Sequence, residues 1–499
     1  MTRKLEALKK MEIGERVAEE ESDHLERYFV ETDQWHQMID GKIDVVYGPK
    51  GSGKSALYTL LNKKDGELFD RGVLLASAEN VRGATVFRTI VADPPPSELS
   101  FVYLWKIYSL SIIAKALREY KVTNEYSHSL IGALEKVGLL PAADSLSVLF
   151  RAVTRYFRGW LERDTKAIEY ALTIDSTTGT PTFTRKTEFS EKSEEQNLGD
   201  IPVEELFEVA NQALDKEDLN VWLLFDRLDV AFADSLELER NALRALFRAY
   251  NDIKAYDRVR LKIFVRDDIW QRITSGGFTE ASHITKAVHI RWNEESLLNL
   301  VMLRLLSNEA LVEYTGINPE EIKADYAKQE ELFYRLAPRQ VDTGKNPDTF
   351  NWILSRTTDS SGNSVPREVI HLLEITKEIQ IKKLERGSDE PVDDQLFDRS
   401  SFKEALPTVS KVRFEQTLLA EYPNMRDFLV KLNGEKAEQT LGTLSGIWGT
   451  AEEKTRTIAQ RLTEIGFFEA RGSKDEPSYW VPFIYRSALN IVQGKADAP

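Results

Sequence analysis

The chain has 499 residues, a formal net charge of −15, 42% hydrophobic and 29% charged residues, and no cysteine. That length accommodates roughly two to four domains with real cores. The missing cysteines exclude disulfides, thiolate zinc sites and cysteine nucleophiles, and suit a reducing cytoplasm, while the acidic balance lacks the basic excess of a protein built to grip phosphodiester backbones.

Residues 1–40 read as charged helix, with Val17, Leu25, Phe29 and Val30 among many acids. The first twenty residues have no apolar core, so no signal peptide is expected. Ile43–Tyr47 is a short apolar run ending in a glycine loop, a strand signal. Lys54–Asn62 then reads as helix and Gly72–Ala78 as a second strand. After the break at Pro94–Pro96 come long helical stretches, Phe101–Tyr120, Ser127–Val137 and Ser145–Lys166. The most apolar of these, Phe101–Leu117, carries Lys106 and Lys115 and falls short of a membrane span, so it reads as a buried helix. Glu169–Ile174 and Thr182–Phe189 form a candidate hairpin, and Ser190–Asp200 a linker. The region of about 81–205 reads as a mainly helical insertion between two core strands.

Asn220–Phe225 is a continuous apolar run of the buried-strand type. Ser235–Asn251 reads as helix, Leu261–Val265 as strand, Asp268–Ser275 as a short helix and Ala287–Arg291 as a fifth strand. Glu294–Glu309 is amphipathic, with Leu297, Leu298, Val301 and Leu305 on one face. Helical patterns continue to a linker at Gly387–Asp394. Beyond residue 400, three helical patterns (Met425–Leu432, Glu438–Leu444, Glu452–Ile465) lead into Phe467-Phe468, a polar loop Arg471–Ser478 and the apolar stretch Tyr479–Tyr485, which is a winged-helix order. The expected domains are 1–292, a core holding the insertion; 293–395, a helical lid; and 396–499, a winged-helix-like domain.

Gly48-Pro49-Lys50-Gly51-Ser52-Gly53-Lys54-Ser55 fits G-x-x-x-x-G-K-[ST] at every position. The glycines let backbone N–H groups turn inward around a phosphate, and the following helix adds its own unsatisfied N-terminal N–H groups, that of Ala56 among them, and its positive dipole end. Lys54 supplies a point charge for the β and γ phosphates, and the Ser55 hydroxyl is placed to ligate Mg2+. The loop follows an apolar strand and precedes a helix, as the motif requires. This reads as an ATP site with Mg2+. Such a loop calls for a second strand ending in a metal-side carboxylate, and Val221–Asp226 meets that demand. Asp229, three residues on, is a candidate to orient the attacking water or simply to cap the next helix. Arg266 ends the Leu261–Val265 strand. In the α/β order 5-1-4-3-2 its side chain is a candidate γ-phosphate sensor, or else the partner of a neighbouring aspartate.

These residues, together with Ala18-Glu19 and Tyr28-Phe29-Val30, Gly48–Leu57, Asp226–Asp229 and Phe264–Asp268, resemble a family of bacterial P-loop ATPases of the ASCE type, related to the STAND, KAP and AAA+ groups and often linked to antiphage defence. The resemblance implies a helical lid whose Pro366-Arg367 segment senses nucleotide, with Pro366 opening a helix. It also implies an oligomerising switch acting with a separate effector protein. Two departures bear on hydrolysis. Arg227 stands where STAND relatives carry a small residue, and no glutamate directly follows Asp226, so slow or regulated turnover is expected. Arg240, Arg244 and Arg248 on one helix are candidate donors to a neighbouring subunit's site, or a solvated arginine face. The alternative function is a DNA-engaging loader or remodeller using the winged helix. Lys454, Arg456, Arg461 and Arg471 are balanced there by Glu452, Glu453, Glu464 and Glu469, which leaves nucleic acid the less favoured partner. No membrane association is expected.

Overall fold

The computed structural model describes residues 2–14, 21, 25–78, 98–142, 145–169, 203–228, 236–274, 278–360, 362, 364–473 and 476–496. The expected hairpin beyond Glu169, the linker Ser190–Asp200, Ala18-Glu19 and Asp229 lie outside them. The chain forms two compact units, residues 37–47 with 58–288, and residues 1–36 with 48–57 and 289–499.

The first unit holds a five-stranded parallel sheet of β1 (Val45–Gly48), β2 (Val73–Ser77), β3 (Asn220–Phe225), β4 (Val259–Arg266) and β5 (Ala287–His289), in the order β2-β3-β4-β1-β5. This is the expected order read from the opposite edge. β3 lies between its parallel neighbours with Leu223 level with Ala76 and Leu261, which is why its run is apolar on both faces. The helix Glu98–Glu119 is the core of this unit. Its Trp105 Nε1 donates to Ala242 O at 2.7 Å, its Tyr108 hydroxyl donates to Ala78 O at 2.7 Å, and both rings meet Phe225 edge-on. By length and composition it could cross a membrane, but 72% of its apolar window is buried within the protein. A charge also sits inside this core. Lys262 of β4, 1% exposed, pairs at 3.0 Å with Asp44, 2% exposed, and lies 4.3 Å from the centre of the Trp222 ring. The Tyr250 hydroxyl donates to the other Asp44 oxygen at 3.2 Å.

In the second unit the N-terminal arm is not one charged helix. Arg3–Lys10 is helical, Met11–Gly14 has no regular structure, Leu25–Tyr28 is a 3-10 turn and Asp33–Ile39 is helical. Gly14 adopts φ +111°, and a Cβ there would fall 1.8 Å from Arg304 Nη1. The break in the helix therefore admits the buried Arg304 side chain, which grips both Glu21 carboxylate oxygens at 2.8 and 2.9 Å and stacks 4.2 Å over Tyr28. A bundle follows, with Glu294–Leu306, Tyr326–Leu336, Thr349–Thr357 and Pro366–Glu385 burying Leu297, Phe333, Trp352 and Val369 in one core.

Arg399–Val412 continues through a π-helical segment, Arg413–Leu418, and ends at Leu419–Glu421. Beyond it the expected helix Glu438–Leu444 is instead β6 (Lys436–Thr440), followed by helix Leu441–Trp448. The reason is local. Ala437 and Gln439 alternate inward with period two, and Thr440 caps the helix reciprocally with Thr443. Helix Glu452–Glu464, β7 (Glu469–Gly472) and β8 (Pro477–Trp480) complete a helix–strand–helix–helix–strand–strand order. The expected strand Tyr479–Tyr485 stops at Trp480, because Pro482 opens a short helix Phe483–Arg486. β9 (Val492–Lys495) adds parallel to β6, giving the sheet order β7-β8-β6-β9.

Candidate functional site

β1 ends at Gly48 and runs directly into the glycine loop, and Lys54–Lys63 follows as helix. Gly51 and Gly53 take φ +86° and +98°, the left-handed region that lets successive N–H groups face one centre. The loop is seated by its neighbours. A Cβ on Gly48 would lie 3.2 Å from Ile290 Cβ, and Trp292 Nε1 donates to Ser52 O at 2.8 Å. The Leu57 N–H closes onto Gly53 O at 3.0 Å, so Gly53, Lys54, Ser55 and Ala56 form the first turn, whose N–H groups face the loop. Lys54 Nζ rests against the loop itself, donating to Gly48 O at 2.8 Å and Pro49 O at 2.9 Å. Ser55 and Ala56 are half-buried.

Arg367 lies against this loop. Pro366 opens helix Pro366–Glu385, and a Cβ on Gly51 would meet Arg367 Cβ at 2.9 Å, Val365 Cγ2 at 3.4 Å and Arg367 Cδ at 3.5 Å. The arginine's aliphatic stem thus packs on the glycine that shapes the loop. The next residue, Glu368, is 2% exposed and accepts from Arg413 Nη1 at 3.2 Å, and Arg413 Nη2 donates to Asp359 at 3.0 Å. Burial opposes the Arg413 charge, but Tyr485, Glu368 and Asp359 outweigh it and hold the guanidinium protonated well above its usual range. Burial pushes the Tyr485 phenol up to about 12, against the pull of the same guanidinium. Ser360 N donates to Gly466 O at 3.1 Å, a further tie from the Arg367 segment to the C-terminal domain. On its other side the loop's Lys50 is ion-paired to Glu421.

The other candidates lie in the sheet unit. Asp226, 5% exposed, directly follows β3. Arg227 takes φ +56°, the left-handed region that few side-chain-bearing residues adopt. Arg266 ends β4, which lies between β1 and β3, and it pairs with Asp268 at 2.9 and 3.2 Å. The expected solvated arginine face is largely occupied. Arg248 pairs with Glu98 at 2.7 Å and Glu280 at 3.2 Å, Arg244 donates to Ile273 O at 3.3 Å, and Arg240 is exposed.

Sequence reasoning did not single out Trp292, Val365, Arg413 or Glu421. Arg413 and Glu421 reach residues 45 and 371 positions away, and no spacing rule covers such a pair.

No protein-family model matches this chain, and none of the characterised proteins compared with it is similar in sequence. Among solved structures, the ORC1 protein of Aeropyrum pernix in complex with DNA aligns at 10% identity over 92% of this chain and 91% of its own, with a TM-score of 0.35. The Walker-type ATPase of Pyrococcus abyssi aligns at 8% identity over 93% and 96%, with a TM-score of 0.39. The Aeropyrum pernix ORC2 protein in its ADPNP–ADP complexes aligns at 11% identity over 94% of both chains, with a TM-score of 0.30. The likeness is loose, and the fold rests on this chain's own strand order and loop.

Proposed function

We propose that this chain is an ATP-binding, slowly hydrolysing switch ATPase whose lid and winged-helix domain respond to the nucleotide. Gly48–Ala56 would hold the phosphates, Lys54 turning from its loop carbonyls to the β and γ oxygens. Ser55 and Asp226 would hold Mg2+, which supplies charge neutralisation at those phosphates. Asp229 would orient the attacking water, and Arg266 and Arg367 would read the γ-phosphate. The packing of the Arg367 stem on Gly51 supports the reading, because it sets this arginine beside the glycine loop.

An oligomer, with a separate effector protein in a bacterial defence setting, completes the proposal. The DNA-engaging alternative loses support from the helix Glu452–Glu464 and from β7. Arg456 pairs with Glu452 at 3.2 Å, Arg461 with Glu464 at 3.0 Å, and Arg471 with Glu469 at 2.8 Å, leaving little free positive charge for phosphodiesters.

The test is ATP titration of the wild type and of Lys54→Ala with Mg2+ present. The expected result is binding lost in the variant, and equal affinity in both would refute the site. Asp229→Ala should bind normally and turn over at least about tenfold more slowly, on the scale of lost general-base assistance. The DNA alternative requires DNA stimulation of turnover at low salt.

A further inference from the structure

The C-terminal region contributes a charged residue to the phosphate loop. Lys50, third residue of the loop, is ion-paired to Glu421, and the two side chains are only 33% and 17% exposed. Glu421 is the last residue of the long helical run that begins at Arg399. That run is not regular. Its π-helical segment, Arg413–Leu418, lies just before Glu421 and holds Arg413, the partner of Glu368 beside Arg367. Such wide turns occur mostly as single-turn bulges inside α-helices, frequently at functional sites. One helix end therefore touches the site twice, through Glu421 on Lys50 and through Arg413 behind Arg367.

We propose that Glu421 is a positioning residue of the nucleotide site. It neutralises Lys50 and holds the loop, so its grip and the binding of a nucleoside triphosphate oppose one another. The reasoning is electrostatic. A triphosphate seated in the loop brings several negative charges close to Lys50. Glu421 competes with those charges for the same ammonium and also repels them. By linkage, whatever Glu421 subtracts from nucleotide affinity the nucleotide subtracts from the hold of Glu421 on the loop. The nucleotide thus loosens the end of the Arg399–Glu421 run, which leads into the winged-helix domain. This inference rests on the nucleotide-binding reading above and assigns regulation to the same site.

The experiment compares ATP and ADP dissociation constants for the wild type, Glu421→Gln, Lys50→Gln and the double variant, with Lys54→Ala as the non-binding control. Glu421→Gln should tighten ATP by about fivefold, the scale of one partly screened charge, and ADP by less, because the effect follows ligand charge. With Lys50→Gln already present, Glu421→Gln should bring a clearly smaller gain. Glu421→Asp should restore most of the wild-type affinity. A merely structural loss would weaken both ligands or leave their ratio unchanged, and either result overturns the proposal. In the wild type, ATP should speed amide hydrogen exchange over residues 413–421, and unchanged or slowed exchange there also overturns it. If the wild type itself, like Lys54→Ala, binds no nucleotide, the nucleotide reading fails first, and that outcome is distinct from a wild type that binds ATP with an affinity indifferent to Glu421.

Discussion

Arg413→Met isolates the buried junction between the Arg367 segment and the C-terminal domain. The guanidinium faces Asp359 at 3.0 Å and Glu368 at 3.2 Å, with side-chain exposures of 10% for the arginine and 15% and 3% for the acids. At an effective dielectric of about 20, each contact is worth at most about 5 kcal/mol of attraction, most of it offset by the cost of burying the charges. Removing the arginine leaves that cost in place with no compensating partner, so the expected loss is about 3–5 kcal/mol. Urea unfolding followed by tryptophan fluorescence reads it, since Trp352 and Trp448 are buried on the two sides of the junction. Neutralising the whole cluster with Arg413→Met, Asp359→Asn and Glu368→Gln should recover most of the loss. ATP affinity should fall in the single variant, because Glu368 adjoins Arg367, and recover in the triple. A single variant costing under about 1 kcal/mol would mean that the junction behaves as an exposed ion pair and would refute the reasoning.

Gly51→Ala should weaken ATP binding by at least about tenfold, combining a strained left-handed alanine with displacement of Arg367 from the loop; isothermal titration checks it, and unchanged affinity would detach Arg367 from the site. Lys262 gives a pH signature. Burial, against the opposing pull of Asp44, lowers its ammonium from 10.5 to about 8. The unfolded chain therefore binds more protons than the folded one between those values, and this residue makes stability rise as pH increases from about 8 to about 10.5. Urea midpoints across that range should show the slope in the wild type and lose it in Lys262→Met, and equal slopes would place the lysine in water. Lys262→Met should also destabilise the sheet unit at neutral pH by about 3–5 kcal/mol, because Asp44 is left buried without the lysine that balances its charge.

The phosphate loop was legible because its chemistry is written in eight consecutive residues. β3 and β4 were legible because strands buried on both faces are apolar at most inward positions, with Lys262 the exception in β4. β6 was missed for the converse reason. Its five residues present only Ala437 and Gln439 to the interior, and a buried glutamine carries no apolar signal. The N-terminal arm was misread because its break serves a distant side chain. Gly14 needs its positive φ to admit Arg304, 290 positions away in the numbering of the chain. Arg413 and Glu421 failed to stand out for a related reason. On a helix, a lone arginine or glutamate reads as surface until the acids and lysine it meets are known.

Both lysines of the loop are already engaged, and that bears on what the site can do. Lys54 donates to two carbonyls of the loop, and Lys50 is held by Glu421. A bare phosphate loop concentrates N–H dipoles and two ammonium groups that favour an anion, a costly arrangement when nothing fills it. Here backbone oxygens face one lysine and a carboxylate the other. A nucleotide must displace both contacts, so its net affinity is smaller than the gross attraction of the loop, and the difference appears as a change in the protein. Releasing Lys50 from Glu421 would reach beyond the loop, to the end of the Arg399–Glu421 helical run. A ligand shifts a conformational equilibrium only through its differential affinity for the two states. The Lys50–Glu421 pair supplies such a difference, in a form that depends on the charge of the nucleotide, which is what a switch needs if triphosphate and diphosphate are to give different outputs.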